Sequence, residues 1–259
     1  RDGSREFNPA AATLAETGSN VFGSISDCLY DFTFCYDMMQ GLRKRDPQTF
    51  VKDLRRWLHE QQCTDLPGQI RLRHIESHDS IRAEYWYGPD GMRRAMAISA
   101  WIPGIPMVYQ DMEDGHGYFF KKVFKIRNSL VEMGDGDADY LAVNAPDDIF
   151  AVLRTANQPD NPPPQYAWDK EGAGPRASIA VVALSENNEA KMEFQRAVIS
   201  LPLSKLPPQL RNVKTVHELW TNRPVDVIRQ DDNILLPVPN SGFAVYRFGG
   251  PEKVKIIDG

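Results

Sequence analysis

Two hydrophobic periods divide the chain. Up to residue 133, short apolar runs alternate with stretches whose apolar side chains recur every three or four residues. The runs near 11–16, 29–32, 70–75 and 105–110 read as strands. The stretches between them read as helices covering a sheet. In the clearest one, Phe50, Leu54, Trp57 and Leu58 share one face, while Lys52, Asp53, Arg55 and Arg56 share the other. Asp46-Pro47 marks its start, an N-cap residue followed by proline in the first turn. Residues 21–28 suit a short helix, and 92–102 an apolar one stopped by Pro103-Gly104. Residues 118–133 suit an amphipathic helix carrying Phe119, Phe120, Val123, Phe124 and Leu130. Such alternation predicts a parallel α/β sheet. Arg71 and Arg73 do not fit a strand covered on both faces, which should be apolar.

At Gly134-Asp135-Gly136-Asp137 the period changes to two. Segments 149–153, 178–184, 197–203, 213–220 and 242–248 read as strands, with weaker ones at 225–228 and 233–238. Polar or Gly/Pro turns separate them, the pattern of an antiparallel sandwich. Residues 157–175, rich in Pro, Gly, Asn and Asp, read as a surface insertion between strands. The expected division is an α/β domain over residues 1–136 and an all-β domain over 137–259.

Composition narrows the function classes. A length of 259 residues holds one large domain or two modest ones, and 42% hydrophobic with 25% charged residues is ordinary for a globular protein. The net charge of −5 gives no electrostatic basis for binding nucleic acid. No run approaches the roughly 18 apolar residues of a membrane span. Arg1 to Glu6 contain no apolar signal-peptide core, so a cytoplasmic location is expected. Cys28, Cys35 and Cys63 suit free thiols in a reducing compartment and match no zinc spacing. No nucleotide-binding glycine loop is present. No cofactor or metal is therefore expected, and calcium has no support in the sequence.

Chemistry concentrates where strands end. His74-Ile75-Glu76-Ser77-His78-Asp79-Ser80-Ile81-Arg82 follows the run at 70–75. Strand exits are where α/β folds carry their reactive side chains. A His-Asp pair taken alone is more often a solvated loop or a helix cap. A second landmark lies one helix on, Gly104-Ile105-Pro106-Met107-Val108-Tyr109, then Asp111-Met112-Glu113-Asp114-Gly115. Leu14-Ala15-Glu16, followed by Thr17-Gly18-Ser19, is a further strand exit, where Glu16 as readily faces solvent. Tyr36 and Trp86 are aromatic side chains close to these exits, suited either to the core or to an exposed stacking platform.

Together these segments resemble the late part of the α-amylase family of glycoside hydrolases and transglycosidases, over roughly residues 5–250. His74 to Asp79 takes the place of the family's aromatic-x-x-Asn-His-Asp, with His74 for the aromatic and Ser77 for Asn. Gly104 to Tyr109 matches its Gly-x-Pro-x-hydrophobic-Tyr strand. Leu236 to Tyr246 resembles the Leu-Pro-x-x-Gly-x-x-Val-Tyr stretch of its β domain.

The resemblance implies the second half of a (β/α)8 TIM barrel, strands 5–8, plus a β sandwich. It implies Glu16 as general acid and Asp79 as the carboxylate stabilising the transition state. It implies His78 as donor to a sugar hydroxyl, with Trp86, Tyr36 and Arg82 as substrate contacts. The family's nucleophile, in an Arg-x-Asp strand before the general acid, has no counterpart here. The reading is thus an α-glucan-active hydrolase or transglycosidase acting with retention, on a maltooligosaccharide or longer glucan. An upstream half-barrel, in the same or another chain, would complete it, and this chain alone would be inactive. The competing reading is a non-catalytic carbohydrate-binding or interaction protein on a degenerate amylase scaffold.

Overall fold

A computed structural model of the chain describes residues 2–41, 46–158, 174–184 and 195–249. Four short strands, β1 (Leu14–Ala15), β2 (Cys28–Tyr30), β3 (Ile70–Arg73) and β4 (Ile105–Pro106), form one sheet in that order. Every neighbouring pair is parallel, with Tyr30 opposite Leu72 and Leu72 opposite Ile105. The strands are shorter than the apolar runs that predict them. At β4 the chain leaves the sheet early, and the Met107 amide makes a last 2.7 Å bond to the Arg73 carbonyl.

Helix Pro47–Thr64 joins β2 to β3 and buries Phe50, Val51, Leu54 and Leu58. Its Asp46 cap accepts from the Thr49 amide at 2.9 Å. Helix Ala83–Trp101 joins β3 to β4 and starts well ahead of the expected residue 92. Gly88, at φ 73°, breaks it internally, and Pro89 follows at the restart. Residues 21–28 hold only a 3₁₀ turn, Asn20–Ser24. Thr33–Met39 is a π-helical turn that the sequence pattern does not announce.

The second part is antiparallel throughout. One sheet has the order β10-β9-β13-β7-β6-β5, from Arg223–Asp226, Thr215–Glu218, Phe243–Phe248, Gly174–Ala183, Ile149–Gln158 and Asp137–Asp139. The other has the order β11-β12-β8, from Ile228–Gln230, Asn233–Pro239 and Gln195–Pro202. β5 reads Asp-Ala-Asp and has no apolar alternation, so only its pairing with β6 reveals it. Most of the expected insertion at 157–175 lies outside the described residues.

The central strands of the six-stranded sheet are buried on both faces. Phe150, Val152, Ala180, Val182, Phe243 and Val245 pack in one core with Trp101 of helix Ala83–Trp101 and with Phe119 and Phe120 of a further helix, Gly117–Ser129. Alternate residues, among them Ala151, Leu153, Ile179, Val181 and Ala244, pack with Ile199, Ile234 and Leu236 of the three-stranded sheet. Two buried arginines close the seam. Arg127 donates to the carbonyls of Ala100 and Gly104, and Arg154 to those of Trp101 and Gly136. They satisfy the orphan carbonyls at the end of helix Ala83–Trp101. Burial pulls both guanidinium pKa values down, to about 10. Among the described residues, no helix is long and apolar enough to cross a membrane.

Candidate active site

Parallel pairing sends all four strand exits to one edge of the sheet. β3 alternates, with Ile70 exposed, Leu72 half-buried, and Arg71 and Arg73 buried. The arginines therefore face the helix layer, where carboxylates await them. Arg71 pairs with Asp65 and also reaches Asn20 and the Gly18 carbonyl. Arg73 pairs with the fully buried Asp31 and donates to Gln61 at 2.8 Å and to the Pro103 carbonyl at 3.0 Å. Asp31 comes from a distant segment and Asp65 from the turn just before β3, and their pairing with this strand is visible only in the fold.

Past β3, burial persists through His74, Ile75, Glu76 and Ser77, and stops at His78. The His74 ring stands edge-on to Tyr30, Phe32 and Tyr36, with centroids 5.4, 5.8 and 6.2 Å away. The three aromatic rings stack on one another in a row. Burial lowers the His74 pKa, keeping the ring neutral, against the pull of the Leu72 carbonyl and Asp31. His74 thus fills a core place as an aromatic residue would.

The next residues form a closed turn. The Ser77 amide donates to Ser80 Oγ at 2.7 Å, and the Ser80 amide returns to the Ser77 carbonyl at 3.2 Å. The Asp79 amide donates to Ser77 Oγ at 3.3 Å. Ser77 therefore has a turn-making role that its hydroxyl suits. At the tip, His78 Nε2 and Asp79 Oδ2 lie 3.3 Å apart, each side chain 66% exposed. The base is held by Glu76, which is 1% exposed. Its carboxylate accepts from the Ala83 amide and pairs with Arg82 at 3.1 Å. Arg82 continues to the Gln110 carbonyl at 2.8 Å and lies over the Tyr109 ring at 5.4 Å. Arg82 is thus engaged across the exits of β3 and β4.

The remaining predicted residues are more dispersed. Glu16 directly follows β1 and is exposed. Tyr36 sits in the π-helical turn, half-buried against Phe32 and His74. Trp86 is half-buried in the first turns of helix Ala83–Trp101. Glu113 is exposed in the loop after β4. The structure brings together Arg82, Glu76, His78 and Asp79 in one loop, with Glu16 two strands away along the sheet. Sequence reasoning missed a cleft of about 440 Å³ lined by Glu76, Arg82, Glu84, Tyr85, Asp111 and Met112. Asp111 lies there with a left-handed φ of 66°, a feature that its Gln-Asp-Met context does not signal.

No family model and no curated protein sequence matches the chain. Solved structures do match it. A noncanonic maltogenic α-amylase from Thermotoga neapolitana superposes with a TM-score of 0.68 at 13% identity, over 96% of this chain and 58% of that one. The α-amylase of Geobacillus thermoleovorans, complexed with acarbose, gives 0.67 at 14% identity, over 95% and 55%. AmyP in complex with maltotriose gives 0.61 at 9% identity, over 92% and 55%. The chain therefore has an α-amylase-like fold. The chain spans a little over half the length of these proteins, and at such identities the likeness fixes the fold alone.

Proposed function

We propose that the chain carries part of the active site of an α-glucan-active hydrolase or transglycosidase that works with retention. The observation that carries this reading is the turn at 77–80, which presents His78 and Asp79 side by side, solvent-facing, at the carboxyl edge of a parallel sheet on an amylase-like scaffold. Retention takes a carboxylic acid that protonates the leaving oxygen and a carboxylate nucleophile about 5 Å from it. Glu16 is assigned the first role. Asp79 holds sugar hydroxyls and stabilises the oxocarbenium-like transition state, and His78 donates to a hydroxyl as the ring distorts. Tyr36, Trp86 and Arg82 line the approach. The nucleophile is assigned to a strand outside these 259 residues.

Strands β1–β4 correspond in this reading to strands 5–8 of a (β/α)8 barrel. One face of the sheet carries Leu14, Ile70 and Ile105 at 50%, 40% and 48% exposure. β1 and β4 are its two edges, and unpaired edges with an apolar face call for a covering element. An upstream half-barrel would cover them, and would enclose the Glu16 carboxyl that is exposed here. Enclosure matters because a general acid stays protonated near neutrality only when its carboxylate is poorly solvated or crowded by like charge. Maltooligosaccharides are the proposed substrates, as neighbours of the same fold hold acarbose and maltotriose.

The test is turnover of maltooligosaccharides by the complete protein and its Asp79→Asn and Glu16→Gln variants. Each substitution should cost several orders of magnitude, and near-normal activity in either would remove that residue's role. The exposure of Glu16 favours one other reading, a carbohydrate-binding protein without catalysis. Maltotriose binding that survives in the complete protein with no turnover would select it.

A further inference from the structure

We infer that Glu76 is a positioning residue for the His78–Asp79 pair, clasping the base of their loop through Arg82 and the Ala83 amide. The inference rests on the glucan-site reading for its purpose, and on geometry for its substance. Glu76 precedes the turn and Arg82-Ala83 follow it, so one buried carboxylate holds both ends of the loop. Within the loop the Ser77–Ser80 bonds and the Asp79 amide's bond to Ser77 Oγ resist opening. Arg82 then fastens the clasp to the neighbouring strand exit through the Gln110 carbonyl and the Tyr109 ring. Among the described residues no side-chain hydrogen bond or ion pair links Asp79 or His78 to this clasp, so Glu76 acts on them through the backbone it holds.

The clasp needs Glu76 ionised, since a protonated carboxyl pairs poorly with a guanidinium. Burial, aided by Glu84 and opposed by the Ala83 amide and Arg82, raises the Glu76 pKa. The charged and titratable groups around it are Arg82, Glu84 and Tyr87 from the helix, Cys35 from the π-helical turn and Asp111 across the cleft. Cys35 is pushed up to about 12, and burial pushes Tyr87 further up, so neither titrates in acid. Burying an ion pair adds little net stability while fixing one geometry, and a fixed geometry is what a reacting pair requires.

The experiment follows amide hydrogen exchange of residues 77–83 in the 259-residue chain across a pH series, corrected for intrinsic exchange. A loop opening that leaves Glu76 buried removes only the Ala83 amide and Arg82, the two groups that favour its ionised form. Protection should therefore rise roughly tenfold as Glu76 ionises, the scale of one charge-assisted hydrogen bond, although global unfolding, which solvates Glu76, responds with the opposite sign. Glu76→Gln should stay at the low level at every pH, while amides of helix Pro47–Thr64 keep their protection. Glu84→Gln should retain the response. Arg82→Gln, at a side chain 44% exposed, tests the same clasp if the Glu76 variant does not fold, and should flatten the response as well. Unchanged protection in Glu76→Gln or Arg82→Gln overturns the inference, as does a response lost in Glu84→Gln alone. Because the readout needs no substrate, failure of maltotriose binding would remove the glucan reading and leave the clasp standing.

Discussion

At Glu76 a single carboxylate sets a local geometry against a global cost. Its raised pKa means that the folded chain binds more protons than the unfolded chain between the ordinary value of 4.5 and the raised one. Stability contributed by this group is therefore highest below that window, and falls as pH rises through it. The difference in unfolding free energy between wild type and Glu76→Gln should decline across the window and then level, measured by denaturant unfolding at several pH values. A difference that grows with pH would contradict the assignment. The Arg73–Asp31 pair behaves differently because both partners are buried, at 4% and 0% side-chain exposure. Removing one partner strands the other's charge, so Asp31→Ala should cost about 3–5 kcal/mol. A loss below about 1 kcal/mol in denaturant unfolding would mean that Arg73 finds water or another acid.

Elements were legible wherever one face alone is buried. Helix Pro47–Thr64 declares itself through its cap and its apolar stripe, and the structure follows both. β3 and β4 were located correctly but overextended, because the chain runs on as buried loop beyond β3 and as partly exposed loop carrying Met107, Val108 and Tyr109 beyond β4. β5 and the π-helical turn were illegible, since pairing and local irregularity leave no periodic mark. Helix Ala83–Trp101 was entered late, because Gly88-Pro89 reads as a turn when a kinked helix crosses it. Of the candidate site, the His78–Asp79 exit was readable, while its support was not. Glu76, Arg82 and Gln110 meet only once β3 and β4 lie side by side. Gly104 is the motif residue with the plainest physical reason. Its φ is 119°, and a Cβ there would stand 2.6 Å from the Arg71 carbonyl oxygen. Gly104→Ala should push β4 away from β3 and cost more than the roughly 1 kcal/mol of an unstrained glycine replacement. Thermal unfolding would report it, and an unchanged midpoint would show that the two strands tolerate separation.

Across the molecule, the six-stranded sheet belongs to both halves of the chain. Trp101 from the helical part lies 6.0 Å from Trp220, and Phe119 lies 5.5 Å from Phe243. Arg55 reaches across to the carbonyls of Tyr140 and Val143, both at 2.7 Å. A shared core predicts one cooperative transition instead of two. Tryptophan fluorescence and far-ultraviolet circular dichroism should therefore lose their signals together, and separated midpoints would show two independent domains. The helical face of the sheet is well covered by this contact, while the opposite face of the parallel sheet keeps Leu14, Ile70 and Ile105 in solvent.

That uncovered face is what the proposed reading explains, in which these residues supply the acid and the transition-state carboxylate of a retaining glucan site completed by another segment. The most direct measurement is turnover of maltooligosaccharides by residues 1–259, alone and co-expressed with the segment encoded upstream in the same reading frame. No turnover is expected for the chain alone, with a tendency to associate, and activity should be restored by the added segment. A well-behaved monomer that hydrolyses maltooligosaccharides by itself would contradict the proposed reading.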